Sequence, residues 1–273
     1  MIPEDRLAYS STQYPIILVS GLGFHDQHRL MNYWGNIPEH LKMYGADVYV
    51  ADQEAFISLP DNAIKLKFRI LDILAKTKKE RINIIAHSKG GLEARYLAGR
   101  LGMDEHIASI TTLGTPHKGA YLADIVLGKL PLPKIAAARL VNLYATLLGD
   151  KRPDSLRSLV QVSTQSVQQF NEEVLDSSRV YYQSYAGHVN KHYPNIIWRT
   201  MANIIKDYEG SNDGMVGIES SKWGNYRGII QNENALSVSH GDMVGLTHFF
   251  GNTKFNAKQF FLEMVHELKA MGY

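Results

Sequence analysis

The chain predicts an α/β fold, a mostly parallel central sheet with helices on both faces, and three observations predict it. Apolar strand candidates at about 14–20, 46–51, 82–87, 107–112 and 179–186 alternate with helical patterns at about 30–44, 61–77, 90–101 and 155–174, an alternation that calls for parallel strands joined by crossover helices. The first strand, Tyr14-Pro15-Ile16-Ile17-Leu18-Val19, is continuously apolar rather than alternating, as a strand covered on both faces requires. The residues that carry chemistry all fall just after strands, where open α/β sheets place their sites. A helix at about 255–270 closes the pattern. With 273 residues, 45% of them hydrophobic, the chain can bury one sizeable core, and a single domain over 1–273 is expected.

The first strand ends in Ser20-Gly21-Leu22-Gly23. Glycines there let the backbone turn so that an amide can face a developing oxyanion. An ordinary glycine turn after a strand is the competing reading. The third strand runs from Arg81 to Ile85 into Ala86-His87-Ser88-Lys89-Gly90, and a helical pattern follows from Gly91 to Leu97. A small residue two before a serine and a glycine two after it are what a sharp strand-to-helix turn needs, because larger side chains would clash as the serine is pushed into an exposed, strained conformation. Ser88 is therefore the candidate nucleophile for covalent acyl transfer. The backbone N–H groups of Leu22 and of Lys89, the residue after the nucleophile, are the candidate oxyanion donors.

An acid and a histidine should follow the serine in that order. Ser211-Asn212-Asp213-Gly214-Met215-Val216 is a turn-forming cluster that can project the Asp213 carboxylate. Ser239-His240-Gly241-Asp242 comes after the mixed strand-like stretch Gly228 to Val238. In this scheme Asp213 fixes the tautomer of His240, and His240 takes the proton from Ser88. Of the 11 histidines, His87 belongs to the elbow and is expected to point away from the chemistry. His106, His117, His188 and His192 precede Asp213, and His266 sits in the closing helix. His248 is the serious competitor, as are Asp207, Glu209 and Asp242 for the acid.

A long insertion separates the strand ending near Thr112 from the next helix. Within Lys134 to Gly149, Leu140, Leu143, Tyr144, Leu147 and Leu148 recur at helical spacing. One reading is an amphipathic core helix; the other is a helical lid, spanning about 117–155, whose apolar inner face shields the site and adsorbs to lipid when open.

As an ordered set, Tyr14-Pro-Ile-Ile-Leu-Val-Ser-Gly-Leu-Gly, Tyr33-Trp34-Gly35, Ala86-His-Ser-Lys-Gly-Gly with Arg95-Tyr96, Leu113-Gly-Thr-Pro-His-Lys-Gly with Ala123-Asp124, Asn212-Asp-Gly-Met-Val and His240-Gly-Asp resemble the bacterial true lipases of the Pseudomonas, Burkholderia and Proteus type. The resemblance runs from about Tyr14 to Phe250. It implies an α/β-hydrolase fold and hydrolysis of triacylglycerols or other carboxylic esters. It also implies a triad on Ser88, Asp213 and His240, with oxyanion amides on Leu22 and Lys89. Three departures stand out. Ser20 replaces the family's usual histidine and Lys89 its usual glutamine; both donors are main-chain amides, so neither change removes one, although the Lys89 charge would alter local electrostatics. Many relatives also hold a structural calcium near the catalytic histidine, and Asp242 matches one of its aspartates. The other would fall near Tyr193-Pro194, where no acid stands, and Leu246 replaces a usual amide ligand. A hard cation needs about six oxygens, so no calcium is expected.

Composition narrows the classes further. The net charge of +2 is interspersed, which leaves no electrostatic footprint for nucleic acid. The absence of cysteine excludes disulfides, a thiol nucleophile and cysteine-ligated metal. No window approaches the ~18 apolar residues of a membrane span. Met1 to Arg6 lacks the basic and apolar regions of a secretory signal, and only the resemblance favours an extracellular site. No close His-x-x-x-His ligand pair supports a metal-dependent hydrolase. The expected function is thus cofactor-free cleavage of a lipid or other ester through an acyl-enzyme on Ser88, foremost as a triacylglycerol lipase. A short-chain carboxylesterase, phospholipase or thioesterase with the same triad is the alternative. From another class, a non-catalytic hydrolase-fold binding protein would lack a triad member, and all three candidates are present.

Overall fold

In the computed structural model, which describes residues 8–21, 33–51, 57–128, 159–231, 236–246 and 254–273, six strands form one parallel sheet. They are β1 (Ile16–Val19), β2 (Val48–Val50), β3 (Ile82–His87), β4 (Ile107–Leu113), β5 (Tyr181–Ala186) and β6 (Asn225–Ile229), in the spatial order β2-β1-β3-β4-β5-β6. Because β2 lies on one side of β1 and β3 on the other, the chain reverses its direction of winding between β1 and β3. A crevice opens at such a switch point, outside the carboxyl ends of the two strands.

Every residue of β1, β3 and β4 is buried, which accounts for their continuous apolar runs. Successive side chains enter two different cores. Ile16, Leu18 and Ile85 pack with helices α1 (Ile37–Met43) and α7 (Ala257–Ala270), while Ile17, Val19, Ile84 and Ala86 pack with α2 (Leu59–Thr77) and α3 (Lys89–Arg100). Each fully buried isoleucine or leucine contributes roughly 1.5–3 kcal/mol relative to exposure. Local signals set the helix starts. The Ser58 hydroxyl accepts the Asp61 N–H at 3.2 Å, with Pro60 in the first turn of α2, and caps of this kind are worth about 1 kcal/mol.

A third core lies between α4 (Tyr121–Val126), α5 (Thr164–Glu173) and α6 (Ile196–Glu209), built from Leu122, Ile125, Val167, Trp198, Met201 and Ile205. Here the structure departs most from the sequence reading. Helix α6 was not anticipated, although Asn195 caps it with bonds to Ile197 N (2.8 Å) and Trp198 N (3.3 Å). The helical pattern at 30–44 narrows to Ile37–Met43, and that at 155–174 is interrupted by Ser163, which caps α5. Of the strand-like stretch Gly228 to Val238, the described residues hold the end of β6 and an isolated bridge between Val238 and His188, while 232–235 lie outside the described residues. As the edge strand, β6 is exposed at alternate positions, and Gly228 takes φ +112°, so it carries no apolar run. Of the insertion at about 117–155, residues 117–128 are described, with α4 packed into the third core; Lys134 to Gly149 lie outside the described residues. Among the described residues no helix is long and apolar enough to cross a membrane.

Candidate active site

Ser88 stands at φ +56°, ψ −133° between β3 and α3. That region is costly for a residue with a Cβ, about 1–3 kcal/mol, and persists only where its surroundings impose it. Here they do. The Ser88 N–H donates to Leu113 O (2.9 Å) at the end of β4, and the Ser88 carbonyl accepts from Thr115 Oγ1 (2.8 Å) and Gly91 N (3.1 Å). From Ile82 to Arg95 every residue is buried except Ser88, which keeps partial exposure. The small residues around it answer close approaches. A Cβ on Gly90 would lie 2.5 Å from Ser20 O, and one on Gly21 would lie 2.5 Å from Ser88 Cβ. Gly90 is therefore required by the neighbouring β1 strand.

The acid loop follows α6. Asn212 ties it down, with Nδ2 donating to Ala202 O (3.1 Å) and Gly210 O (2.9 Å) and Oδ1 accepting from Gly214 N (2.9 Å). Asp213, fully buried, receives Met215 N (2.8 Å) and Val216 N (2.7 Å) on Oδ1, while its Oδ2 lies 2.7 Å from His240 Nδ1. The His240 N–H also donates to Asp213 O at 3.0 Å. With its Nδ1–H given to the carboxylate, the imidazole keeps Nε2 as a proton acceptor. Gly114 makes the juxtaposition of the two loops workable. It takes φ +55°, and a Cβ there would lie 3.0 Å from Asp213 Oδ2 and 3.1 Å from His240 Nδ1. The Leu113-Gly114-Thr115 segment thus bonds to the serine turn and abuts the Asp213–His240 pair.

His87 is closer to this chemistry than the sequence reading placed it. Its ring centroid lies 4.4 Å from that of His240, and its Nδ1 lies 2.5 Å from the Tyr33 hydroxyl, which accepts the Gly21 N–H at 2.9 Å. Tyr33 therefore links the end of β1 to the elbow. Burial, reinforced by His240, holds His87 well below the usual imidazole range, so it stays neutral beside the His240 ring.

Lys89 opens α3, and its backbone N–H belongs to the first turn, whose amides have no partner inside the helix. Its side chain is buried and turns to Ile57 O (2.9 Å) and Glu93 Oε1 (3.2 Å); Glu93 also accepts from Asn62 Nδ2 (3.0 Å). The charge that replaces the expected glutamine is thus paired within α3. Leu22 lies outside the described residues, as does His248.

The competitors are occupied elsewhere. Glu209 Oε1 accepts from Tyr121 N (2.7 Å), Asp207 is exposed on α6, and His266 stacks on Tyr9 at 3.9 Å with Nδ1 bonded to Tyr9 O. Asp242 Oδ2 accepts from Ser239 N (2.9 Å) and from the Tyr193 hydroxyl (2.6 Å). Among the described residues, no group of three or more His, Asp or Glu side chains is placed to hold a metal ion. Sequence reasoning missed three contributors. Gly114 and Tyr33 occur in motifs quoted above without an assigned task, and Tyr193 was noted only for not being an acid.

A strained serine after β3, with a buried Asp–His pair beside β4, is the arrangement of a hydrolase built on a parallel sheet, and comparison with known proteins agrees. Residues 14–200 match the α/β-hydrolase fold family, and the chain belongs to that family. It is 34% identical over 175 residues to triacylglycerol lipases of Pseudarthrobacter phenanthrenivorans and Burkholderia plantarii, matches that cover 60% of this chain and 54% and 48% of those proteins. It thus spans about half the length of these relatives. A Pseudomonas fragi triacylglycerol lipase is 27% identical over 295 aligned positions, covering 96% of this chain and 98% of that one. Among solved structures, the mature lipase BlEst2 of Bacillus licheniformis superposes with a TM-score of 0.69 at 18% identity, covering 92% of this chain and 91% of the other. Lipase 1 from Pelosinus fermentans gives 0.69 at 19%, covering 94% and 99%. At these identities the structural likeness speaks for the fold alone.

Proposed function

We propose that this chain is a serine carboxylic-ester hydrolase, and that its substrates are triacylglycerols. The observation that carries the reading is the buried Asp213–His240 pair, 2.7 Å apart, beside a part-exposed serine held at positive φ. The named relatives support the choice of substrate class. Ser88 Oγ attacks the ester carbonyl carbon while His240 Nε2 takes its proton, and Asp213 holds the resulting imidazolium. The oxyanion of the tetrahedral intermediate is met by the Lys89 and Leu22 backbone amides. His240 then protonates the departing alcohol, leaving an acyl group on Ser88. A water molecule, deprotonated by the same histidine, attacks that acyl carbon and releases the carboxylic acid. No step requires an organic or redox cofactor.

Hydrolysis of p-nitrophenyl esters of increasing acyl length, by wild type and Ser88→Ala in parallel, tests this. The expected result is activity that rises toward long chains and falls by at least ~10³-fold in the variant. A preference for short chains would replace the lipase by an esterase, and equal activity in the variant would overturn the serine mechanism.

A further inference from the structure

His240 sits in a turn closed by its own neighbours. The Ser239 N–H donates to Asp242 Oδ2 (2.9 Å), and the Asp242 N–H returns a bond to Ser239 Oγ (3.2 Å). This reciprocal box resembles the one that closes helix starts. A third side chain enters it from outside the turn. The Tyr193 hydroxyl lies 2.6 Å from Asp242 Oδ2 and 3.0 Å from Ser239 Oγ. One consistent set of donors satisfies all of these contacts: the phenol gives its proton to the carboxylate, Ser239 Oγ–H donates to the phenol oxygen, and Ser239 Oγ accepts the Asp242 amide. All three side chains are buried, Tyr193 at 1%, Ser239 at 0% and Asp242 at 3% exposure.

Tyr193 is itself anchored to the acid loop. It belongs to the segment 188–193 that precedes α6. In that segment Val189 N donates to Asn212 O (2.8 Å), next to Asp213, and Asn190 N donates to Ser237 Oγ (3.0 Å). His188 pairs with Val238 by two 2.9 Å backbone bonds. One short segment therefore touches the residue before the acid and the residues just before the histidine, and Tyr193 closes it onto the turn that carries His240.

We propose that Tyr193 is a positioning residue whose phenol clasps Asp242 and Ser239, sets the His240 ring on Asp213, and does so in place of a divalent cation. This deepens the hydrolase reading and rests on it. The donor set does not suit a hard cation. Asp242 Oδ2 already takes a phenol and an amide proton, Tyr193 presents a donor where a second carboxylate would be needed, and the Leu246 side chain has no oxygen to offer. The phenol has no tendency to ionise at working pH, because burial and the Asp242 charge push Tyr193 above the usual tyrosine range. A hydrogen bond from a neutral donor to a buried carboxylate is short and about twice as strong as a neutral pair, and it cannot be removed by chelation.

The test uses Tyr193→Phe, which deletes one oxygen and keeps the ring in the core, and a p-nitrophenyl phosphonate ester as the probe. Ser88 Oγ forms a bond to phosphorus, the aryl P–O bond breaks, p-nitrophenolate leaves, and the serine proton passes to His240. Rates are taken per folded enzyme, from thermal melts. Wild type should release one equivalent of p-nitrophenolate, at a rate that EDTA and added calcium leave within about twofold; Tyr193→Phe should react at least roughly tenfold more slowly at unchanged half-saturation. Combining Tyr193→Phe with Asp242→Asn should be no slower than Asp242→Asn alone, since both break one contact. Equal rates in wild type and Tyr193→Phe, additive losses in the double variant, or inactivation of wild type by EDTA would overturn the clasp. A wild type that releases nothing would instead overturn the hydrolase reading. In that event the downfield Nδ1–H proton resonance of His240 still decides the clasp: it should be sharp in wild type and lost to exchange in Tyr193→Phe, and an unchanged resonance would overturn it.

Discussion

Asp213 shows how much one carboxylate orientation is asked to do. Its Oδ1 is spent on two amides of its own turn, leaving Oδ2 to face His240. Asparagine at this position can keep the first arrangement only by placing its carbonyl oxygen on Met215 N and Val216 N. Its NH₂ group then points at His240 Nδ1 and forces the proton onto Nε2, the wrong tautomer for a base. Asp213→Asn is therefore expected to lower kcat by ~10³–10⁴-fold, with a melting temperature close to that of wild type; steady-state kinetics beside a thermal melt checks both. Ser88 illustrates the other residue-scale lesson. Its strained backbone is held by Leu113 at the end of β4 and by Thr115 in the loop just beyond it, so the motif around it marks where strain is tolerated and the end of the neighbouring strand supplies the restraint.

At the scale of elements, helix α6 matters most. Its N-terminal approach carries Tyr193, its C-terminus leads into Asp213, and its buried face holds the third core. The joint between α6 and α4 encloses Glu209, whose carboxyl is pushed up to about 8, first by burial and then by Asp213 and Asp124, against the bonds from Tyr121 N and Gly217 N. The folded state therefore binds a proton that the unfolded chain releases near its ordinary value of 4.5. Below that value the group's contribution is fully present, and it is lost as pH rises through about 8. Glu209→Gln stays neutral throughout. Melting temperatures scanned across this window should fall for wild type relative to the variant by roughly 5 °C; parallel curves would show that Glu209 ionises without cost. The α6 helix went unread although its apolar stripe is as marked as that of the other helices, and the start of the edge strand β6 went unread because it lacks an apolar run. The apolar stripe of α6 follows a proline and serves a core remote from the sheet, and β6 is half exposed.

Across the whole molecule, the switch point between β1 and β3 and the ends of β4 and β5 gather loops from residues 20, 88, 114, 213 and 240 into one place. Such a site needs a cover if its substrate is lipid, and Lys134 to Gly149 is the proposed lid. Polar substitutions at Leu143 and Leu147 should then reduce hydrolysis of emulsified long-chain ester several-fold more than that of a soluble short-chain ester. Equal losses on both substrates would remove the lid from the account.

By itself the sequence determined the parallel sheet, the elbow at Ser88 and the two turns that hold Asp213 and His240, because these are written in short-range patterns: unbroken apolar runs, a small residue where backbones approach, a polar turn after an element. Only the tertiary structure decided that His87 lies against His240, that Lys89 is neutralised by Glu93, that Gly114 makes room for the Asp–His pair, and that Tyr193 reaches Asp242. Apart from the Lys89–Glu93 pair, whose burial no local pattern reveals, these contacts join segments tens to more than a hundred residues apart. They depend on which buried donor meets which acceptor once the sheet has brought the loops together, and no local periodicity encodes that.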